Sequence, residues 1–189
     1  MHSRVDEKIV EAHIKDWTAL SPPVTIRSPY IIIGPNQDGA KEQSTAGPYD
    51  LDTPDELSLR SLLLGIVHRT VGEYGPSRAF LLDARSRQAE IETSTWISSV
   101  ALFELAVLDL KEIEAIEKAI EAITPGGRQY PGAEEMMRLW TAALQSASEK
   151  LDQTLGLLTS DMDLSSRLDS RIAMLRDEIA IKKEMLAMS

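Results

Sequence analysis

The longest uninterrupted pattern of apolar and polar positions runs from Trp96 to Ile123, and it changes character halfway. Over its first part, Trp96, Ile97, Val100, Ala101, Leu102, Phe103, Leu105, Ala106, Val107, Leu108 and Leu110 cover nearly the whole circumference of a helix. A helix that is apolar all round is surrounded by neighbours. Beyond Lys111 only Ile113, Ile116, Ile120 and Ile123 recur, on one narrow stripe, with charge over the rest. That stripe is the seam of a coiled coil. The pattern predicts a helix that leaves a crowded core and continues as a thin projection.

The same reasoning places the other elements. Val5, Ile9, Ile14, Trp17 and Leu20 share a stripe and predict an amphipathic helix over 5–20, stopped by Pro22 and Pro23. Thr53-Pro54-Asp55-Glu56 combines a capping Thr, a Pro at the first helical position and a Glu three residues on. A helix follows to about Val71 and ends near Gly72, with Leu57, Leu59, Leu62, Leu63, Ile66 and Val67 as its apolar stripe. From Ser77 to Ile123 there is no Gly or Pro. This predicts one continuous helix of about 70 Å, weakest at the hydroxyl-rich residues 92–96. Residues 124–132, TPGGRQYPG, are a turn. The next helix runs from about Ala133 to Leu158 with facing residues Met136, Met137, Leu139, Trp140, Ala143 and Leu144. A last helix starts near Asp161, or joins the one before it. Its residues Leu164, Leu168, Ile172, Leu175, Ile179 and Leu186 are spaced close to a heptad.

Residues 21–53 differ in kind, with Pro22, Pro23, Pro29, Pro35 and Pro48 and three glycines. Only VTIRSPYIII, residues 24–33, resembles a strand, and Pro29 interrupts it. A lone strand needs a partner, so this stretch reads as an extended arm or as an edge completed by another chain. The expected fold is all-α: a multi-helix bundle with a long central helix and an antiparallel coiled-coil hairpin, plus an extended Pro/Gly-rich N-terminal arm. The divisions are an N-terminal helix over 1–20, the arm over 21–53, and a helical bundle over 54–189. A compact four-helix bundle with the same stripes inside is the alternative arrangement.

Composition narrows the function. The 189 residues carry a formal net charge of −10, so condensed phosphate is repelled, and no basic patch offsets it. Nucleic-acid binding is therefore not expected. No apolar run reaches membrane-spanning length, and the N-terminus lacks the apolar core of a secretory signal. The absence of cysteine excludes disulfides, thiolate metal sites and a Cys nucleophile, and it fits a cytoplasmic location.

Candidate chemistry is sparse. Gly34 and Gly39 have the separation of a phosphate loop. But Ala40 precedes Lys41, Glu42 stands where a hydroxyl is needed, and no good helix follows, so a simple turn is the better reading. His2, His13 and His68 stand far apart and none belongs to a metal-ligand spacing. His68 with Glu73, or His13 with Asp16, would be an acid/base couple only in a cleft. Glu112, Glu114, Glu117 and Glu121 spread around the helix among Lys111 and Lys118, as on a solvated face. Trp17, Trp96 and Trp140 sit in apolar stripes and read as core anchors.

No catalytic, cofactor-binding or metal-ligating residue is assigned, and no cofactor is expected. The leading reading is a non-enzymatic structural or interaction protein that forms a homo-oligomer or joins a partner helical protein in a larger complex. Its expected interface residues are Tyr30, Ile31, Ile32, Ile33, Ile113, Ile116, Ile120, Ile123, Leu168, Ile172, Leu175 and Ile179. A second reading is a small-ligand or metal-binding bundle, an enzyme among the options, with its site beside His68, Glu73 and Tyr74. A third is the regulatory part of a longer protein, suggested by heptads that run up to Ser189.

Overall fold

A computed structural model of the chain describes residues 7–31, 51–123, 132–158 and 165–188. They form six helices: α1 (Glu7–Thr18), α2 (Pro54–Thr70), α3 (Tyr74–Ser86), α4 (Trp96–Ile123), α5 (Ala133–Leu157) and α6 (Ser165–Met188). The chain divides into two compact units, Met1–Ile97 and Ser98–Ser189.

In the first unit, α2 begins where the Thr53 signals place it. The Thr53 hydroxyl accepts from the Glu56 N–H at 3.2 Å. The Glu56 carboxylate accepts in turn from the Thr53 and Asp52 N–H groups, which closes a capping box. Gly72, at φ +85°, turns the chain into α3, a conformation that glycine reaches without a Cβ penalty. The two helices approach closely. Ser77 Oγ donates to the Gly65 carbonyl at 2.7 Å, and a Cβ on Gly65 would lie 2.7 Å from Leu81 Cγ.

That approach explains a difference from the sequence reading of α2. Its buried residues are Ser58, Arg60, Ser61, Leu62, Leu64, Gly65 and His68, whereas Leu57, Leu59, Leu63, Ile66 and Val67 are only half-buried. The helix turns its small residues, not its bulkiest ones, into the tightest contact. Beside it, Val10 and Ile14 of α1 join Leu64 and Phe80 in a small core, onto which Trp17, Val24, Ile26, Tyr30 and Ile31 pack.

Two further expectations change. Residues 24–31 contain no strand; there is one isolated bridge, Ser28 with Ile31, made as Ile31 N–H donates to the Ser28 carbonyl across Pro29. The proline turns the chain where a ladder would need an N–H. The long helix over 76–123 is also interrupted between Ser86 and Trp96. The carboxylate of Asp55, in the first turn of α2, accepts from the N–H groups of Glu92 and Thr93, both at 3.1 Å, and of Ser94. Three amides committed to one carboxylate are unavailable to a helical ladder, and a hydroxyl-rich stretch resists that exchange least.

In the second unit, Phe103, Ala106 and Ile113 of α4 share a core with Trp140, Leu144, Ala147 and Leu151 of α5 and Leu168, Ile172, Leu175 and Ile179 of α6. The α5 and α6 positions recur at spacings of four and three, so each helix presents one continuous stripe. Arg171 pairs with Glu104 at 3.1 Å and Lys182 with Glu117 at 3.5 Å, so α4 and α6 run in the same direction. Arg176 pairs with Asp152, and Lys183 Nζ donates to Ser148 Oγ, so α5 runs against α6. Both α6 cations that bind α4 carboxylates also cover an aromatic ring, Arg171 over Phe103 at 4.4 Å and Lys182 over Trp140 at 3.9 Å. Leu158 is extended (φ −73°, ψ 123°), which ends α5 and keeps it from joining α6 in one helix.

The changing pattern of α4 is reflected in its burial. Ile97 to Asp109 are buried except Val100 and Val107, which are half-buried. Beyond Lys111 only Ile113 is buried.

Candidate functional site

The end of the second unit where α4 finishes, α5 begins and α6 finishes carries most of that unit's exposed large apolar side chains. Along the isoleucine stripe Ile113 is buried, Ile116 is exposed, Ile120 is half-buried and Ile123 is 80% exposed. Met137 and Leu139 of α5 and Ile181, Met185 and Met188 of α6 are exposed too, Met188 at 81%. An open groove of about 280 Å³ lies in this region, between Leu110 and Glu117 of α4, Trp140 and Leu144 of α5, and Ile179, Ile181 and Met185 of α6. Apolar lining with charge at its margin is the general composition of a protein-contact surface.

The other expected interface residues fall elsewhere. Leu168, Ile172, Leu175 and Ile179 are buried in the chain's own three-helix core. The heptad stripe of α6 is thus filled from within the chain, because α4 and α5 already supply the facing knobs. Tyr30 and Ile31 pack on the small core of the first unit. Ile32 and Ile33 lie outside the described residues, as do the phosphate-loop-like residues 34–42 and most of the turn at 124–132.

His68 is fully buried. Its Nδ1 lies 2.7 Å from the Leu64 carbonyl, which can only accept, so Nδ1 carries the proton. Nε2 then accepts from Ser28 Oγ at 2.9 Å, and Ser28 Oγ accepts from the Tyr30 N–H. Phe80 tilts against the ring at 5.1 Å and Tyr30 meets it edge-on. Burial holds the imidazole below its ordinary pKa, opposed by the Leu64 bond and the charge of Glu73. With both nitrogens engaged internally, the ring acts as a clip between α2 and residues 28–30. It has no free nitrogen for an acid/base couple with Glu73. His13 is exposed and stacks on Trp17 at 5.4 Å.

Of the four carboxylates Glu112, Glu114, Glu117 and Glu121, two are paired with lysines rather than converging on a cation. Glu114 pairs with Lys111 at 2.9 Å and with Lys118 at 4.0 Å, and Glu117 pairs with Lys182. Among the described residues no three carboxylates and histidines gather as metal ligands. Among them, too, no helix is long and apolar enough to cross a membrane.

Two functional-looking side chains escaped the sequence reading. Arg60 is buried and donates through Nη1 to the carbonyls of Leu20 at 2.9 Å and Pro22 at 2.8 Å, tying the chain after α1 to α2. Asp55 gathers the three amides ahead of α4, and those bonds lower its pKa, the one from Ser94 most. For Arg60 the available signal was an Arg amid leucines. Asp55 resembles any first-turn acid, and nothing local reveals its reach.

Compared with protein-family models, curated protein sequences and solved structures, the chain shows no match.

Proposed function

We propose that the protein is a non-enzymatic helical interaction protein that self-associates through the end of its second unit. That contact would build it into a larger complex, such as a viral or cellular particle or an adaptor assembly. In this reading α4 and α5 form an antiparallel coiled-coil hairpin turning at 124–132. Residues 21–53 serve as an extended Pro/Gly-rich arm that adds a second contact, and the cysteine-free chain works in the cytoplasm.

The observation that carries the reading is that exposed Ile116, Ile123, Met137, Leu139, Ile181 and Met185 all belong to one end of three packed helices, with Ile181 and Met185 lining its groove. Scattered single apolar residues need no partner, but an apolar groove with further exposed apolar side chains at the same end of the helices supports a contact surface. A second copy of this chain is the occupant of choice. The same end carries both signs beyond its internal pairs, Glu121 on α4 and Lys183 on α6, neither of them in an ion pair among the described residues, and a two-fold contact lets each face the other.

Sedimentation velocity on the wild type and on the double variant Ile123→Glu, Met185→Glu tests it. The wild type is expected to sediment as more than one chain and the variant as one, with equal helicity by circular dichroism. Equal sedimentation of the two proteins contradicts the assignment of this surface.

A further inference from the structure

The first unit holds a polar cleft. The first turns of α2, the end of α3 and residues 22–26 surround an open space of about 150 Å³. At roughly 30 Å³ per water this holds a few waters or one small ion, well below the size of a drug-sized ligand pocket. Its walls carry Arg60, Ser61, Asp83 and Arg87, over an apolar floor that includes Leu57 and Phe80.

The charges in this cleft are unbalanced. Arg60 is 8% exposed and makes no ion pair among the described residues. Its Nη1 serves two carbonyls, and its buried Nε has no hydrogen-bond partner. The carboxylate in the lining is already committed: Asp83 Oδ2 accepts from Ser61 Oγ and from Arg87 Nη1, each at 2.6 Å. Two guanidiniums therefore face one engaged carboxylate, in a chain whose net charge is −10. Burial and then the neighbouring Arg87 charge both disfavour the Arg60 cation, while Asp83 favours it. Tethering Leu20 and Pro22 needs a donor but not a buried full charge, and a buried charge without a counter-charge is costly. A planar guanidinium beside a second one is the arrangement that recognises an oxyanion.

We propose that this cleft binds a small oxyanion, a phosphate or carboxylate group, between Arg60 and Arg87. The anion supplies the missing counter-charge. The open mouth allows it to be a free ion or the terminal group of a small metabolite whose remainder stays in solvent.

The test is a two-dimensional amide NMR titration of the full chain with inorganic phosphate and, separately, with acetate. Ionic strength is held constant with chloride. Saturable shifts confined to residues 57–61 and 83–87 are expected with at least one of the two anions, and which one saturates identifies the group. Arg87→Lys keeps the charge but loses the fork, and is expected to raise the midpoint several-fold. Arg87→Gln, with helicity retained, is expected to raise it by about tenfold or more, the scale of one lost charge-assisted contact. Linear shifts equal to those of chloride, or a midpoint unchanged by Arg87→Gln, overturn the proposal. Should Arg87→Gln fail to fold, an unchanged midpoint in Arg87→Lys overturns it equally.

Discussion

Replacing Gly65 by Ala tests the closest contact in the first unit. The new methyl would sit 2.7 Å from Leu81 Cγ, 2.8 Å from its Cδ2 and 3.2 Å from its backbone nitrogen. Carbon atoms in contact prefer about 3.5–4.0 Å, so the overlap is close to an ångström. Leu81 is fully buried and cannot swing into solvent. Its backbone nitrogen belongs to α3, so relief requires the two helices to part. Overpacking of this kind costs about 1–3 kcal/mol. Against it stands the gain of about 1 kcal/mol from placing Ala rather than Gly inside a helix. The expected net effect is a loss of up to about 2 kcal/mol, read as a lower urea midpoint at unchanged slope by circular dichroism. Gly156 is the control. A Cβ there meets nothing within 4 Å, so Gly156→Ala is expected to be neutral or to stabilise by a few tenths of a kcal/mol to about 1 kcal/mol. A Gly65→Ala protein as stable as the wild type, or more so, would refute the close approach of α2 and α3.

Other perturbations follow from the same contacts. His68 is held below its ordinary pKa of 6.5 by burial, so the unfolded chain takes up its proton at higher pH than the folded one. Its contribution is therefore intact above pH 6.5 and is lost as pH falls, with a limiting slope of about 1.4 kcal/mol per pH unit. Urea midpoints across pH should show this extra slope in the wild type and not in His68→Gln; parallel curves contradict it. Arg171→Ala removes the cation beside Glu104, a carboxylate only 2% exposed, and should cost about 1–3 kcal/mol, reduced because Arg171 itself is half in solvent. Loss of stability no larger than for Arg138→Ala, at an exposed surface pair, would argue against that role. Asp55→Ala should speed hydrogen exchange at the amides of Glu92, Thr93 and Ser94 selectively, and unchanged exchange there would remove Asp55 as their anchor.

Some of this architecture is written locally. The Thr53–Glu56 box is a contiguous signal, and it forms as read because capping depends only on near neighbours. The full apolar circumference that begins at Trp96 predicts neighbours on all sides, and Ile97 to Asp109 are buried apart from half-buried Val100 and Val107. The spacing of Leu168, Ile172, Leu175 and Ile179 showed a seam, but not whose side chains would fill it. Partner choice is a tertiary matter, and here α4 and α5 fill it. The interruption before Trp96 depends on Asp55, far away in sequence, so local propensity showed only a weak point. The buried face of α2 is not legible from its large apolar residues, because counting these overlooks Ser61 and Gly65, whose small size lets α3 close in. Arg60 stands out in the sequence as an Arg amid leucines, but its role does not, because its partners are main-chain carbonyls, which carry no sequence signature.

Self-association through the end of the second unit is tested most directly by light scattering. Molar mass would be measured from micromolar to submillimolar concentration on the unmodified chain. The expected result is a mass of two or more times 20.9 kDa, or one that falls toward 20.9 kDa on dilution as a reversible contact dissociates. A mass of 20.9 kDa at every concentration would contradict self-association and leave the exposed isoleucines and methionines to a different partner.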